Sequence, residues 1–362
     1  MYCYRIAEVT LQSVYRLASF GEFAYEPATP DILLEETDEL PPSGDGLRSG
    51  MVVHLSLPDG WYFYSGADRE KGLFVSRDYS RLRLRGLQGP VIAGRLEWYV
   101  RIAVECMLAR RGYVSLHSAA VEVNGEAFAF SGPSGLGKST RAQAWIEALD
   151  AKLINSDRPL IDVRGMRLYG VPWDGKEQCF RNVSYPLNAI CEVRRSGSVY
   201  VRNMSFPQRR SLLLQQCFIP MWDSDTAVIQ MANITRLAAK ACIIRIFCGP
   251  DAADARALYE VIQKQQFLKE ENDLKAKPGL MLRETAKGPV LMPAGKNGGS
   301  FRGIVLLNAV SAMVWNKLKY PVSREDLLNA VLDEFEVERT VAAADLDALL
   351  VRLKEYGVIT EA

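Results

Sequence analysis

One stretch carries the strongest chemical signal in the chain: Gly132-Pro133-Ser134-Gly135-Leu136-Gly137-Lys138-Ser139-Thr140. It matches G-x-x-x-x-G-K-[ST], the loop that cradles nucleotide phosphates. Glycines let successive backbone N–H groups converge on phosphate oxygens, and the helix that follows turns its positive end toward the same anion. In that pattern Lys138 reaches the β- and γ-phosphates and the Ser139 hydroxyl ligates Mg2+. Two further groups flank the loop, His117 ahead of it and Asp157 behind it. Asp157 closes the run Lys152-Leu153-Ile154-Asn155-Ser156-Asp157, whose apolar residues predict a strand. Strand ends of that kind are where α/β sheets place their chemistry.

Regular elements must hold these groups. Ala127-Phe128-Ala129-Phe130-Ser131 predicts a buried strand, and 141–149 predicts an amphipathic helix. Strand, glycine loop and helix in that order are the setting the motif needs. Upstream, 116–123 predicts a strand ending near Asn124-Gly125, a strong hairpin signal that leads directly into the loop strand. Downstream, 169–177 reads as a loop, 243–248 as a strand, and 251–263 as a helix capped by Asp251.

The flanking blocks differ in character. Residues 1–115 form a β-rich block, with strands at 51–57 and 61–64 around the turn Pro58-Asp59-Gly60. Arg81-Leu82-Arg83-Leu84-Arg85 alternates as a half-buried strand does, its arginine row being either a solvated face or a contact for phosphate or an acidic partner. The Pro- and acid-rich segment 27–47 reads as a loop, and 96–109 as a helix packing this block on the next. Residues 116–265 form the nucleotide block, and the charged run 266–277 reads as a linker. Residues 278–362 predict strands at 280–284, 290–292 and 301–307, then helices at 309–318, 324–334 and 341–356, with Ser323 capping the second.

Bulk properties narrow the class. The 362 residues are 48% hydrophobic and 24% charged, an ordinary globular composition. A formal net charge of +1 gives no global attraction to nucleic acid or membrane, and no apolar run is long enough to span a bilayer. Seven cysteines without a C-x-x-C pair, only two histidines, and no signal peptide argue against a His/Cys zinc site and for the cytoplasm.

Between 116 and 195 the chain resembles the catalytic domain of HPr kinase/phosphorylase. The resemblance rests on a His-Ser strand (His117-Ser118-Ala119-Ala120-Val121), the loop from Gly132 to Ser139, and an acidic strand end, Ser156-Asp157. It implies a mixed α/β (α+β) sandwich related to phosphoenolpyruvate carboxykinase, and ATP-dependent phosphorylation of a protein serine. It implies that Lys138 and Mg2+ neutralise the triphosphate, that Ser139 and Asp157 hold the metal, and that Asp157 accepts the acceptor hydroxyl's proton. His117 would orient Asp157 or the γ-phosphate; the alternative is a hydrogen-bonded core histidine. One position departs from the family, which carries two consecutive acidic residues here: the second is Arg158. That removes support for a second metal ligand and for the reverse phosphorolysis, and leaves Arg158 to contact phosphate or an anionic substrate. Cys191-Glu192-Val193-Arg194 faintly resembles a Glu-Ile-Arg signature of the family. Trp173-Asp174-Gly175-Lys176 looks more like the divergent peptide-tailoring relatives, in which Lys176 would hold a phosphate or acidic group, with Arg181 as a further candidate.

The C-terminal block resembles PqqD and the recognition elements of RiPP pathways, small winged-helix-like domains. The match rests on Phe301-Arg302-Gly303-Ile304-Val305-Leu306-Leu307-Asn308, Ala312-Met313-Val314-Trp315, Leu327-Leu328 through Phe335, and Leu349-Leu350-Val351-Arg352-Leu353 to Gly357-Val358-Ile359. It implies that the leader of a precursor peptide adds as a strand at Phe301, Gly303, Ile304 and Leu306, with side-chain pockets from Leu349 and Leu353. DNA binding is disfavoured, because acidic Asp345, Asp347 and Glu355 stand against Arg352 and Lys354. Together the two resemblances imply a peptide serine/threonine kinase using ATP and Mg2+, its leader-binding domain raising the local concentration of the acceptor. The alternative is a nucleotide-binding adaptor that delivers a precursor peptide without phosphorylating it. The N-terminal block would complete the acceptor cleft or mediate assembly into a homo-oligomer.

Overall fold

The computed structural model describes residues 1–361 except 27–28, 50–51, 66–67, 87–90, 93–94, 174–177, 268–273, 287 and 295–302. Lys176, Phe301 and the turn expected at 296–300 lie outside the described residues. The chain is mixed α/β and divides into two compact units, Met1–Tyr200 with Arg210–Leu258, and Val201–Arg209 with Tyr259–Ala362.

The first unit begins with a sheet of strand order Tyr2–Ile6, Val9–Ser13, Ile32–Glu36, Arg81–Arg85, Asp68–Ser76, Gly60–Ser65, Val52–Leu57 and Leu47–Ser49. The segment expected as a loop at 27–47 therefore contains a strand. Ile32-Leu33-Leu34 is an apolar run within acidic and proline-rich flanks, and it pairs in parallel with Val9–Ser13 and Arg81–Arg85. Arg83 pairs with Glu39 and Arg85 with Glu70, so both arginines are charge-matched by acidic neighbours. The apolar face of the sheet (Trp61, Phe63, Leu73, Leu82) shares a core with Val100, Val104 and Leu108 of helix Arg95–Arg110.

The sheet that matters for the site has the order Tyr113–Ser115, Leu160–Asp162, Arg167–Tyr169, Ser184–Arg195, Glu126–Ser131, Ser118–Val123, Lys152–Asn155, with Ile243–Cys248 also paired to Ser184–Arg195. Glu126–Ser131, Ser184–Arg195 and Ile243–Cys248 run parallel to one another. Ser118–Val123 runs antiparallel to Glu126–Ser131 and to Lys152–Asn155. The start of Ser118–Val123 and the C-terminal ends of the other four strands therefore share one edge of the sheet. The hairpin at Asn124-Gly125 has φ of 52° and 83°, the left-handed pair a tight two-residue turn requires. Helix Lys138–Leu149 is fixed by Trp145, whose ring lies 5.0 Å from both Phe128 and Phe130, one face of the strand that precedes the loop.

In the second unit, Leu280–Thr285, Gly288–Pro293 and Val305–Leu306 form a sheet in that order, followed by helices Ala309–Lys317, Arg324–Glu334 and Arg339–Glu355. The third strand is expected over 301–307, and its described pairing is limited to Val305–Leu306. Ser323 caps its helix by accepting the Asp326 N–H at 3.0 Å, as its spacing to Asp326 implies. The end of the expected linker is itself a strand, Leu274–Ala276, paired with Ile359–Glu361. Trp315, Leu327, Leu350, Leu353 and Val358 fill the core of this unit.

Candidate functional site

The loop between Glu126–Ser131 and Lys138–Leu149 takes backbone conformations that side chains resist. Gly132, Gly135 and Gly137 have φ of 137°, 81° and 92°. A Cβ at Gly137 would also meet Arg141 Nη1 at 2.6 Å. Two arginines brace the loop, Arg141 from the helix that follows it and Arg195 from the end of strand Ser184–Arg195. Arg141 donates to the Cys248 carbonyl at 2.8 Å, and Arg195 donates to the Gly135 carbonyl at 2.7 Å. Lys138 opens the helix and folds back, Nζ donating to the carbonyls of Gly132 (3.0 Å) and Pro133 (3.4 Å). Burial lowers its pKa, against an upward pull from Asp157. Ser139 and Thr140 are exposed.

Asp157 is aimed by a buried asparagine. Asn155 ends its strand and is fully buried; its Oδ1 accepts the N–H groups of Asp157 (3.1 Å) and Arg158 (2.8 Å). Its Nδ2 donates to the Trp173 carbonyl at 2.8 Å, and Trp173 Nε1 donates to the Arg158 carbonyl at 3.2 Å. The side chain thus builds the turn that the backbone alone would leave loose. Ser118 N–H donates to the Asp157 carbonyl at 2.9 Å, which ties that turn to the strand beginning after His117.

His117 sits just before that strand, which starts at Ser118 and not at 116 as expected, because Leu116 bridges to Cys217 instead. Its Nε2 lies 3.8 Å from Asp157 Oδ1, too far for a hydrogen bond but close enough for charge to be felt. Burial lowers the His117 pKa below its ordinary 6.5; Lys138 and Arg158 push the same way and Asp157 opposes them. Burial and the neighbouring cations therefore favour the uncharged imidazole.

Sequence reasoning missed Arg101. This buried residue of helix Arg95–Arg110 places Nη1 3.7 Å from Asp157 Oδ2 and Nε 3.3 Å from Glu105 Oε1. Its guanidinium carbon lies 5.6 Å from the Trp173 ring centroid. Glu105 in turn accepts the Ser115 hydroxyl at 2.6 Å. The available signal was a charged pair at i, i+4 inside an otherwise apolar stretch, Ile102-Ala103-Val104-Cys106. Arg101 thus stands beside the Asp157 carboxylate, and Lys138 lies close enough to feel its charge.

Other expected residues serve elsewhere. Arg181 donates to the Leu153 carbonyl at 2.8 Å and so braces the Asp157 strand. Glu192 is buried between Arg194 and Arg245, each at 2.6 Å, and is a structural ion pair. Among the described residues no three His, Cys, Asp or Glu side chains cluster as a metal site. Mg2+ needs no such cluster, since it binds through one or two carboxylates together with phosphate oxygens. The Ser139 hydroxyl and the Asp157 carboxylate fit that donor set, and an ion bound there would supply positive charge against the phosphates. A cavity of about 420 Å³ reaches Ser139 and Ser156 on this side of the loop.

In the second unit, Val305–Leu306 pairs on one side with Gly288–Pro293, and among the described residues no strand pairs with its other side. Leu307 N–H donates to the Pro289 carbonyl at 2.8 Å, which sets the register. Ile304 and Leu306 are 70% and 59% exposed.

Comparison with known proteins bears on this unit. Residues 290–359 match the family model for coenzyme PQQ synthesis protein D (PqqD). The C-terminal domain is PqqD-like. Two solved structures are similar to part of the chain. One is lasso peptide synthetase B1 complexed with the leader peptide, 30% identical, covering 24% of this chain and 98% of that one, with a TM-score of 0.21. The other is TbiB1 in complex with the TbiA(β) leader peptide, 20% identical, covering 24% and 93%, with a TM-score of 0.20. The comparison with curated proteins found no match. Within the PqqD-like domain, the expected peptide contacts fall in three environments. Gly303, Ile304 and Leu306 are on or beside the strand with the open edge, Leu349 is half-buried, and Leu353 is 2% exposed. Leu353 therefore belongs to the core rather than to a surface pocket, because it lies on the face of helix Arg339–Glu355 that carries Leu346 and Leu350.

Proposed function

We propose that the chain is an ATP-dependent serine/threonine kinase of the HPr kinase type, acting on a ribosomally made precursor peptide whose leader is captured by the PqqD-like domain. The observation that carries this reading is the convergence, at one sheet edge, of the glycine loop with Lys138, the Asp157 carboxylate and His117. A glycine loop alone implies only nucleotide binding; a carboxylate beside it supplies a proton acceptor. In the proposed step the acceptor oxygen bonds to the γ-phosphorus while its proton passes to Asp157. The bond from that phosphorus to the β-γ bridging oxygen breaks, and ADP leaves. Lys138 balances the charge on the departing oxygens. Arg101 and His117 act through Asp157 by fixing its position.

The PqqD-like match and the apolar edge at Val305–Leu306, unpaired among the described residues, support strand addition by a leader peptide. The position of Arg158 favours one alternative, an adaptor that binds nucleotide and delivers the precursor unmodified. The two separate cleanly with γ-labelled ATP. Label retained on the peptide, and lost in Asp157→Ala, supports the kinase. Nucleotide-dependent peptide binding without label supports the adaptor.

A further inference from the structure

Helix Ser224–Lys240 turns one face inward and leaves the other to solvent. The inner face is fixed along its length. Asp223 caps the helix, accepting the Thr226 N–H at 3.2 Å, and Arg110 Nε donates to the Thr226 hydroxyl at 2.7 Å. Two turns on, Asn233 donates to the Ala109 carbonyl at 2.7 Å, and Ile234, Leu237 and Ala238 are buried. The helix is therefore locked to helix Arg95–Arg110, and its outer face is a preformed surface.

That outer face has an ordered composition. Asp225, Ile229, Ala232 and Arg236 are all exposed, and they follow one another at spacings of four, three and four residues. This is the alternation by which one helix presents a single seam to another. Val228, 67% exposed, borders the seam. The seam runs from an acid, through an apolar and a small residue, to a base.

The order becomes its own complement when the helix is reversed. Two such helices can lie antiparallel with Ile229 opposite Ala232 of the second copy, and Ala232 opposite Ile229. Four residues outward on each side, Asp225 then meets Arg236 and Arg236 meets Asp225. A parallel pair in register would set like charge on like charge at both ends. The small Ala232 lets the axes approach to the about 8–10 Å at which helices pack. A two-fold axis between Ile229 and Ala232 repeats the same contacts on both chains, as a closed dimer requires.

From this we infer that the outer face of Ser224–Lys240 docks a second copy of the chain, as an antiparallel pair of these helices. The charges select this occupant, because a wholly acidic or wholly basic partner would be repelled at one end of the seam. One helix pair is a small interface, so the dimer forms and dissociates with concentration.

The test is sedimentation velocity on the full chain over a concentration series, with Asp225→Arg, Arg236→Asp and an equal mixture of the two. Both substitutions are at exposed positions. Wild-type protein should dimerise. Each variant alone should dimerise at least tenfold more weakly, about 1.4 kcal/mol, because each places like charges together at both ends of its own seam. The mixture should recover wild-type dimer, since every arginine of one variant then faces an aspartate of the other. Wild-type protein that stays monomeric throughout would overturn the inference. So would a dimer indifferent to both substitutions, or a mixture that recovers nothing.

Discussion

Replacing Arg101 tests how the reacting carboxylate is held. Its guanidinium is buried and lies 3.3 Å from Glu105 and 3.7 Å from Asp157. At an effective dielectric of about 20, each contact is worth roughly 4–5 kcal/mol of gross attraction, most of which is offset by desolvation. Removing the cation alone leaves Glu105 buried with, among the described residues, the Ser115 hydroxyl as its hydrogen-bond partner, and stranding a buried charge costs about 3–5 kcal/mol. Arg101→Met, which keeps much of the aliphatic bulk, should therefore lose about 3 kcal/mol in urea unfolding followed by tryptophan fluorescence. Arg101→Met combined with Glu105→Gln removes the stranded charge and should recover all but about 1 kcal/mol. The double variant should remain impaired in phosphate transfer, because Asp157 still lacks its neighbour. A loss below about 1 kcal/mol in the single variant, or no recovery in the double, would refute the electrostatic reasoning.

Four further outcomes follow. Lys138→Met should lower ATP affinity at least tenfold in a binding titration with little change in melting temperature, since Nζ touches only two loop carbonyls. Both histidines, His54 and His117, should titrate below 6.5 by NMR because burial disfavours their charged forms. The folded state then binds fewer protons than the unfolded one, so melts should show stability that is full above about pH 6.5 and declines as pH falls below it. Leu306→Lys should weaken leader binding by fluorescence anisotropy while leaving the melt unchanged, because the side chain is 59% exposed. Trp315→Ala, 2% exposed, should destabilise the C-terminal unit by about 3–5 kcal/mol, read as early urea unfolding of that unit.

The glycine loop and its setting were legible because local chemistry dictates them. Positive φ demands glycine, Asn124-Gly125 demands a hairpin, and Phe128 and Phe130 demand a partner that Trp145 supplies. The C-terminal helices were legible for the same reason, through caps such as Ser323 and an apolar stripe of period near 3.6. What escaped was set at long range. Ile32–Glu36 is a strand because two neighbours 20 or more residues distant in sequence flank it, roughly a strand-and-turn away or more. Arg101 reaches Asp157 only because helix Arg95–Arg110 packs under the sheet, and no local spacing connects the two. Asn155 looked like one more polar residue in a short strand, and its role as the support of Asp157 and Arg158 becomes visible only in three dimensions. Leu353 shows the reverse error: a position matched to a peptide-contacting helix turned inward, because the helix places it in register with Leu346 and Leu350.

The most direct test is the intact mass of a precursor peptide incubated with the full chain, ATP and Mg2+, with its leader attached and with the leader deleted. One phosphate should appear on a serine or threonine of the complete peptide, fall sharply when the leader is removed, and be absent with Asp157→Asn. An unchanged mass in a peptide that nonetheless binds the PqqD-like domain would contradict the kinase assignment.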